Sequence, residues 1–147
     1  MYSVTSQGHE LFSKRYDLLL TSLVSKIKEV YGENALKSLL SSVAVELASG
    51  LTSHIKEDTV ESRVERVVEV MNALGYQASW RSQGESIAIQ AKNCIFCRTA
   101  REHPEAICQF DTMLIKNAVG NVNVHLQECI AHNANVCTMV LEKPKSV

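Results

Sequence analysis

Three stretches in the N-terminal half of the chain carry apolar residues at intervals of three and four, the spacing of an amphipathic helix. Each is closed by a glycine: Phe12–Tyr31 before Gly32, a second helix from Asn34 to Gly50, and Val60–Leu74 before Gly75. Residues 51–57 have no clear period and predict a loop. The first stripe is wide, because three leucines follow one another at 18–20. That width favours a helix that contacts a partner as well as its own domain.

In the second half of the chain the apolar residues recur at every second position, instead of every third or fourth. Apolar and polar residues alternate over 76–81 and 87–91, on either side of a turn around Gly84. A second pair of strands follows at 122–126 and 136–141. Each pair predicts a β-hairpin.

The order of elements predicts the fold class. Pro104 suits the first position of a helix over 104–118, which follows a short helical turn that carries cysteines. There is no βαβ alternation, so we expect α+β. The predicted fold has three N-terminal helices, then two β-hairpins that form a four-stranded antiparallel sheet with a cysteine-bearing helical segment between them.

Composition narrows the class of protein. The chain has 147 residues, 46% hydrophobic and 21% charged, which suits one globular domain over 1–147 with a frayed tail at 143–147. A formal net charge of -1 argues against a dedicated nucleic-acid surface. No apolar run spans a membrane and no secretory signal is visible, so we expect a cytoplasmic protein with no membrane partner. No catalytic constellation stands out, so we expect no enzyme.

Five cysteines are the candidate chemistry. Cys94 and Cys97 form a CxxC at the start of a helical turn, Cys108 lies one turn into the next helix, and Cys129 and Cys137 flank the last turn. If that hairpin is symmetric, the last two face each other. Clustered cysteines in a cytosolic protein indicate metal ligands or redox thiols more often than disulfides. Burial in the core is the alternative, because cysteine packs as a small apolar residue.

The order of three cysteine motifs resembles a known family. NCIF, TAREHPEAIC and ECIAHNANVC are similar to the C-terminal sensor domain of ArsR/DeoR-type winged-helix transcriptional regulators, close to the iron–sulfur-sensing SufR repressors. A more distant similarity is to the 4-vinyl-reductase-type ligand-binding domains. The opening YSVTSQGHELFSKRY resembles the junction with the winged helix, so residues 1–8 resemble the tail of a missing DNA-binding domain.

The resemblance implies a sensor domain that switches its dimer geometry when a cofactor binds. Its thiol positions imply that an iron–sulfur cluster or zinc, undecided between the two, is held by Cys94, Cys108, Cys129 and Cys137, with Cys97 and His103 as additional candidates. It also implies a homodimer through the long N-terminal helix. DNA would be reached only through an absent winged-helix domain or a partner.

Two other functions stay open at the level of sequence. One is a regulatory module that binds a small apolar ligand between helices and sheet. The other is a thiol–disulfide redox sensor that uses Cys129 with Cys137, or Cys94 with Cys97.

Overall fold

The computed structural model describes residues 2, 3, 5, 7, 16–56 and 59–145. Phe12, the predicted start of the first helix, lies outside the described residues, as do four of residues 1–8. The elements, in chain order, are α1 Tyr16–Tyr31, α2 Glu33–Thr52, α3 Val60–Leu74, β1 Ala78–Gln83, β2 Ser86–Ala91, α4 Cys97–Glu102, α5 Pro104–Val119, β3 Asn123–Glu128, a 3-10 turn Ile130–His132 and β4 Cys137–Glu142. The α+β fold predicted from the sequence is confirmed.

The four strands form one sheet in the order β1-β2-β4-β3, and every neighbouring pair is antiparallel. The register places Ile89 of β2 between Trp80 of β1 and Met139 of β4. In β3 the register shifts between Leu126 and Glu128. The two predicted hairpins therefore join through their second strands, which become the centre of the sheet.

The main core lies between the central strands and the helices α3 and α5. Ile87, Ile89 and Leu141 from the central strands are fully buried, and they pack with Val64 of α3 and Val119 of α5. Burying an aliphatic side chain of this size contributes about 1.5–3 kcal/mol. This core fixes α5, and with it the position of Cys108, against the sheet.

The second helix is longer than the apolar pattern predicts. It passes through Gly50 and ends at Thr52, so the expected stop at Gly50 is wrong. The glycines that do end helices, Gly32 and Gly75, have φ of 90° and 101°, a left-handed backbone that only glycine adopts without strain. Gly50 has no such positive φ. It is an interior helical residue, and within the last turn of α2 the Thr52 hydroxyl donates to the Ala48 carbonyl at 2.6 Å.

Candidate functional site

The fold brings the predicted thiol positions together. Cys108 on α5 and Cys129, just after β3, place their sulfur atoms 3.0 Å apart. Cys137 starts β4, and its sulfur accepts a hydrogen bond from the Ile130 N–H at 3.3 Å. Cys94 lies close enough for its charge to interact with that of Cys129. The short sulfur contact joins Cys108 and Cys129, a pair that was not among those expected for a redox sensor, and Cys137 also interacts with Cys129.

Burial raises the pKa of three of these thiols. It raises the pKa of Cys94 to about 11 and that of Cys137 to about 12. It also raises the pKa of Cys108, where the neighbouring Cys129 adds to the effect. Because the thiolate is the form that attacks electrophiles, a thiol that stays protonated at neutral pH reacts slowly with them.

The arrangement does not form a recognisable metal centre. Within the part of the chain that the structure describes, no group of three or more His, Cys, Asp or Glu side chains is placed to hold a metal ion. The expectation of a metal-binding, iron–sulfur protein is therefore corrected: the described cysteines form a cluster of buried and half-buried free thiols without the arrangement of a metal centre. The choice of Cys94, Cys108, Cys129 and Cys137 as cofactor ligands, and of an iron–sulfur cluster or zinc as cofactor, stays a prediction.

Cys97 and His103, the two additional candidates, lie at the two ends of α4. Cys97 begins the helix and is half-buried. His103 ends it, and its Nε2 forms a 2.8 Å hydrogen bond with the Ser25 hydroxyl of α1. His103 therefore binds α1 through this nitrogen, while its Nδ1 is buried without a hydrogen-bond partner.

Sequence reasoning missed a carboxyl group beside the thiols. The Tyr76 hydroxyl donates to Oδ1 of Asp111 at 2.9 Å. Loss of hydration raises the pKa of Asp111 to about 6, against the lowering effect of that hydrogen bond. The signal in the sequence is its spacing, because Asp111 follows Cys108 by three residues on α5 and shares its helix face.

Asp111 and Tyr76 form part of the wall of a narrow apolar cleft. The cleft lies between the end of α2, α3, α5 and the sheet, and its cavity volume is about 20 Å³, little more than the space of one water molecule. Its lining includes Leu51, Met71 and Leu114. The accessible part of the lining is apolar, so this cleft presents only hydrocarbon to solvent.

Helix α1 is attached to the rest of the chain through a polar stripe. Asp17, Thr21 and Ser25 follow one another at intervals of four. Asp17 pairs with Arg98 at 3.5 Å, and the Thr21 hydroxyl forms a buried 2.7 Å hydrogen bond with that of Thr99. Ser25 completes the row with its bond to the histidine that ends α4. Polar contacts therefore attach one side of α1 to α4 and to Arg98 within it.

Val24 of α1 is buried, but several other apolar residues of α1 are exposed. We call the exposed stripes of the first two helices the α1–α2 face; it consists of Tyr16, Leu19, Leu23 and Val30 on α1 and Leu39, Val43 and Leu47 on α2, each between 43% and 68% exposed. Within each helix these residues are three, four or seven apart, so they share one side of it. An apolar stripe of this length is the pattern of a core-facing helix surface.

The two stripes meet along the contact between α1 and α2. Leu20 and Ile27 of α1 pack in a small cluster with Leu36 and Leu40 of α2. On each helix these residues lie directly beside the exposed stripe, because they are three or four positions from its members. The exposed residues of each helix therefore lie beside residues of this contact.

Comparisons with known proteins place the chain by fold alone. No family model matches, and no curated protein matches. Among solved structures, the chain is similar to a trafficking protein particle complex subunit 3 from Naegleria fowleri, covalently bound to palmitic acid. The TM-score is 0.53 at 10% sequence identity, over 92% of this chain and 99% of that chain. The likeness shows a shared fold.

This finding overturns the family inferred from the cysteine motifs. The similar structure is a subunit of a trafficking complex, and no family model supports a winged-helix regulator or a 4-vinyl-reductase-type domain. The interpretation as a sensor domain of a transcriptional regulator is therefore wrong. The expected DNA partner depended on that family and is not confirmed. Neither alternative, the apolar-ligand module or the redox sensor, gains support.

The described helices were also compared with the requirements of a membrane span. Over residues 16–56 and 59–145, no helix combines the length and the apolarity needed to cross a bilayer.

Proposed function

We propose that the chain is a non-catalytic subunit of a protein assembly and that it forms a homodimer through the α1–α2 face. The observation that carries the proposal is the orientation of α1, which bonds its own chain through Thr21 and Ser25 and exposes Leu19 and Leu23. Contiguous exposed apolar patches on a protein surface mark interaction sites. The similar structure is itself a subunit of a multi-protein complex, which supports an assembly role and makes trafficking complexes the first setting in which to look for partners.

The upper half of the estimated area of the face reaches the size of a stable dimer interface. Its seven residues together expose the equivalent of about four complete side chains. At ~60–120 Å² of apolar area for each side chain, which corresponds to 1.5–3 kcal/mol at 25 cal/mol/Å², two copies would bury ~500–1,000 Å² of apolar surface. Since apolar atoms make up about 60–65% of such an interface, the total reaches ~800–1,600 Å². Stable specific interfaces bury about 1,200–2,000 Å².

The absence of an enzymatic role is part of the proposal. The thiols with raised pKa, Cys94 and Cys137, are neutral at physiological pH. Tyr76 and Asp111 form part of the wall of the apolar cleft, but the surface that the cleft exposes to solvent carries no polar group. The location expected from the sequence, the cytoplasm, remains part of the same proposal.

Sedimentation of matched leucine variants tests the dimer. Leu23→Lys places a charge in the centre of the face, whereas Leu18→Lys places the same charge on the same helix outside it; both leucines are exposed, by 53% and 41%. We expect a wild-type dimer at ~10 μM. Burying an unpaired ammonium group costs several kcal/mol, so Leu23→Lys should raise the dimer Kd at least ~100-fold.

Leu18→Lys is the control that separates an effect of this face from an effect of added charge anywhere on α1. Leu18→Lys should sediment as the wild type does, because its side chain points away from the α1–α2 face. A wild-type chain that stays monomeric up to ~100 μM would refute the homodimer. Equal weakening by both variants would show that charge on α1, rather than this face, governs association.

A further inference from the structure

The exposed stripe of α1 has a symmetric spacing. Leu23 lies at its centre, with Leu19 and the half-buried Ile27 four residues away on either side and Tyr16 and Val30 seven residues away. We infer that two copies pair through antiparallel α1 helices, with the two-fold axis passing at Leu23. The inference rests on the proposed homodimer and specifies its geometry.

Two-fold pairing requires a surface that is complementary to itself. Around an axis at Leu23, an antiparallel partner brings its Val30 opposite Tyr16 and its Ile27 opposite Leu19. Each apolar residue of the stripe therefore meets another apolar residue. The large Tyr16 ring faces the smaller Val30, so bulky and small side chains alternate across the contact as interdigitated packing requires.

Charge and dipole favour the antiparallel arrangement over the parallel one. Lys26 and Glu29, both exposed, form an ion pair on the flank of the stripe. In a parallel pair each would lie opposite its own copy, lysine against lysine and glutamate against glutamate. In the antiparallel pair the two copies of Lys26 are six helical positions apart, ~9 Å along the axis, and the two copies of Glu29 are twelve apart, ~18 Å. Antiparallel helices also bring opposite ends of their dipoles together.

A charge-swap experiment separates the two geometries. Tyr16 and Val30 are 67% and 60% exposed, so Tyr16→Lys and Val30→Glu leave the monomer core intact. Each single variant should raise the dimer Kd ~10-fold or more, because one new charge on each chain faces an apolar side chain. The double variant should return the Kd to within ~3-fold of the wild type. In the antiparallel pair each new lysine faces the partner's new glutamate.

The possible results test the antiparallel pairing separately from the homodimer on which it rests. A double variant that dimerises no better than either single variant overturns the antiparallel pairing while leaving the homodimer in place. A monomeric wild type overturns both. As a matched control, Leu18→Lys combined with Val30→Glu carries the same two charges with the lysine outside the stripe, and it should stay as weak as Val30→Glu alone. Recovery in this control would attribute the rescue to net charge and overturn the assigned pairing.

Discussion

Replacing Asp111 by asparagine should remove a pH dependence from the stability of the protein. The pKa of Asp111 rises from an ordinary 3.8 to about 6 in the folded chain, because burial disfavours the charged carboxylate. The folded state therefore binds this proton more tightly than the unfolded chain does. Its contribution to the free energy of unfolding is fully present below pH ~4 and is lost as the pH rises through ~6.

The magnitude follows from the size of the rise. A rise from 3.8 to about 6 corresponds to at most ~3 kcal/mol at 1.36 kcal/mol per pH unit. Water that reaches the half-buried side chain reduces this to ~1–2 kcal/mol. The amide introduced by Asp111→Asn does not ionise, and it keeps an Oδ1 that can accept the hydrogen bond of Tyr76. The variant should therefore be more stable than the wild type at pH 7 and similar to it at pH 4.

Urea denaturation of both proteins at pH 4, 5, 6 and 7 measures this difference. The comparison between variant and wild type cancels other titrations. Among these are the carboxyl groups of Glu33 and Glu61, whose pKa values are lowered mainly by hydrogen bonds from Lys28 and Lys143. A gap between the two proteins that is constant from pH 4 to 7 would refute the reasoning. So would a gap that shrinks as the pH rises.

Three further predictions concern the thiols and the turns. Iodoacetamide at pH 7.5 should alkylate Cys94 and Cys137 at least ~100-fold more slowly in the native protein than in urea, because burial raises their pKa values to about 11 and 12. Peptide mass spectrometry measures the two rates, and equal rates would contradict the raised pKa values. Asn72→Ala should lower the free energy of unfolding, measured in denaturant, by ~1–3 kcal/mol, because the Asn72 amide hydrogen-bonds both the N–H and the C=O of Ala78. A loss below ~0.5 kcal/mol would show that water replaces both bonds. Gly75→Ala should cost ~1–2 kcal/mol, because φ is 101° there. Gly50→Ala, inside α2 with nothing within 4 Å of the new Cβ, should instead stabilise by ~0.5–1 kcal/mol, and the opposite order of the two glycine variants would contradict the backbone assignments.

The helices and strands could be predicted because each apolar pattern repeats over many residues. The ends of the helices could be predicted because glycine readily adopts the positive φ that ends a helix. Gly32, Gly75 and Gly120 all adopt positive φ where a helix ends, and a glycine in each place was visible in the sequence. Gly50 looked the same in the sequence, yet α2 continues past it. A glycine marks a stop only when the backbone turns left-handed there, and that depends on what the following residues contact. Leu51, the next residue, lines the apolar cleft.

The sequence predicts in part that the cysteines lie close together. It does not predict the pKa values of their thiols. Strand register carries the information that Cys129 and Cys137 lie near each other, because Glu128 and Thr138 pair beside them. Sequence spacing cannot give the depth at which a thiol lies, and depth decides its protonation. The motifs around Cys94 and Cys108 also misled the assignment of family. Short cysteine motifs at turns recur in unrelated proteins, whereas the similarity to a trafficking subunit extends over the whole fold.

The two outer strands of the sheet limit how copies of this protein can join. β1 is polar along most of its length, with Arg81, Ser82 and Gln83 exposed, and β3 is interrupted by the shift after Leu126. A polar edge and an irregular edge both resist the strand-to-strand addition that builds open-ended fibres. Growth by sheet extension is thus disfavoured at both borders, whereas the proposed two-fold pairing through α1 would close after one addition. An assembly built from this chain should stop at a defined size, even at the high local concentrations of a crowded complex.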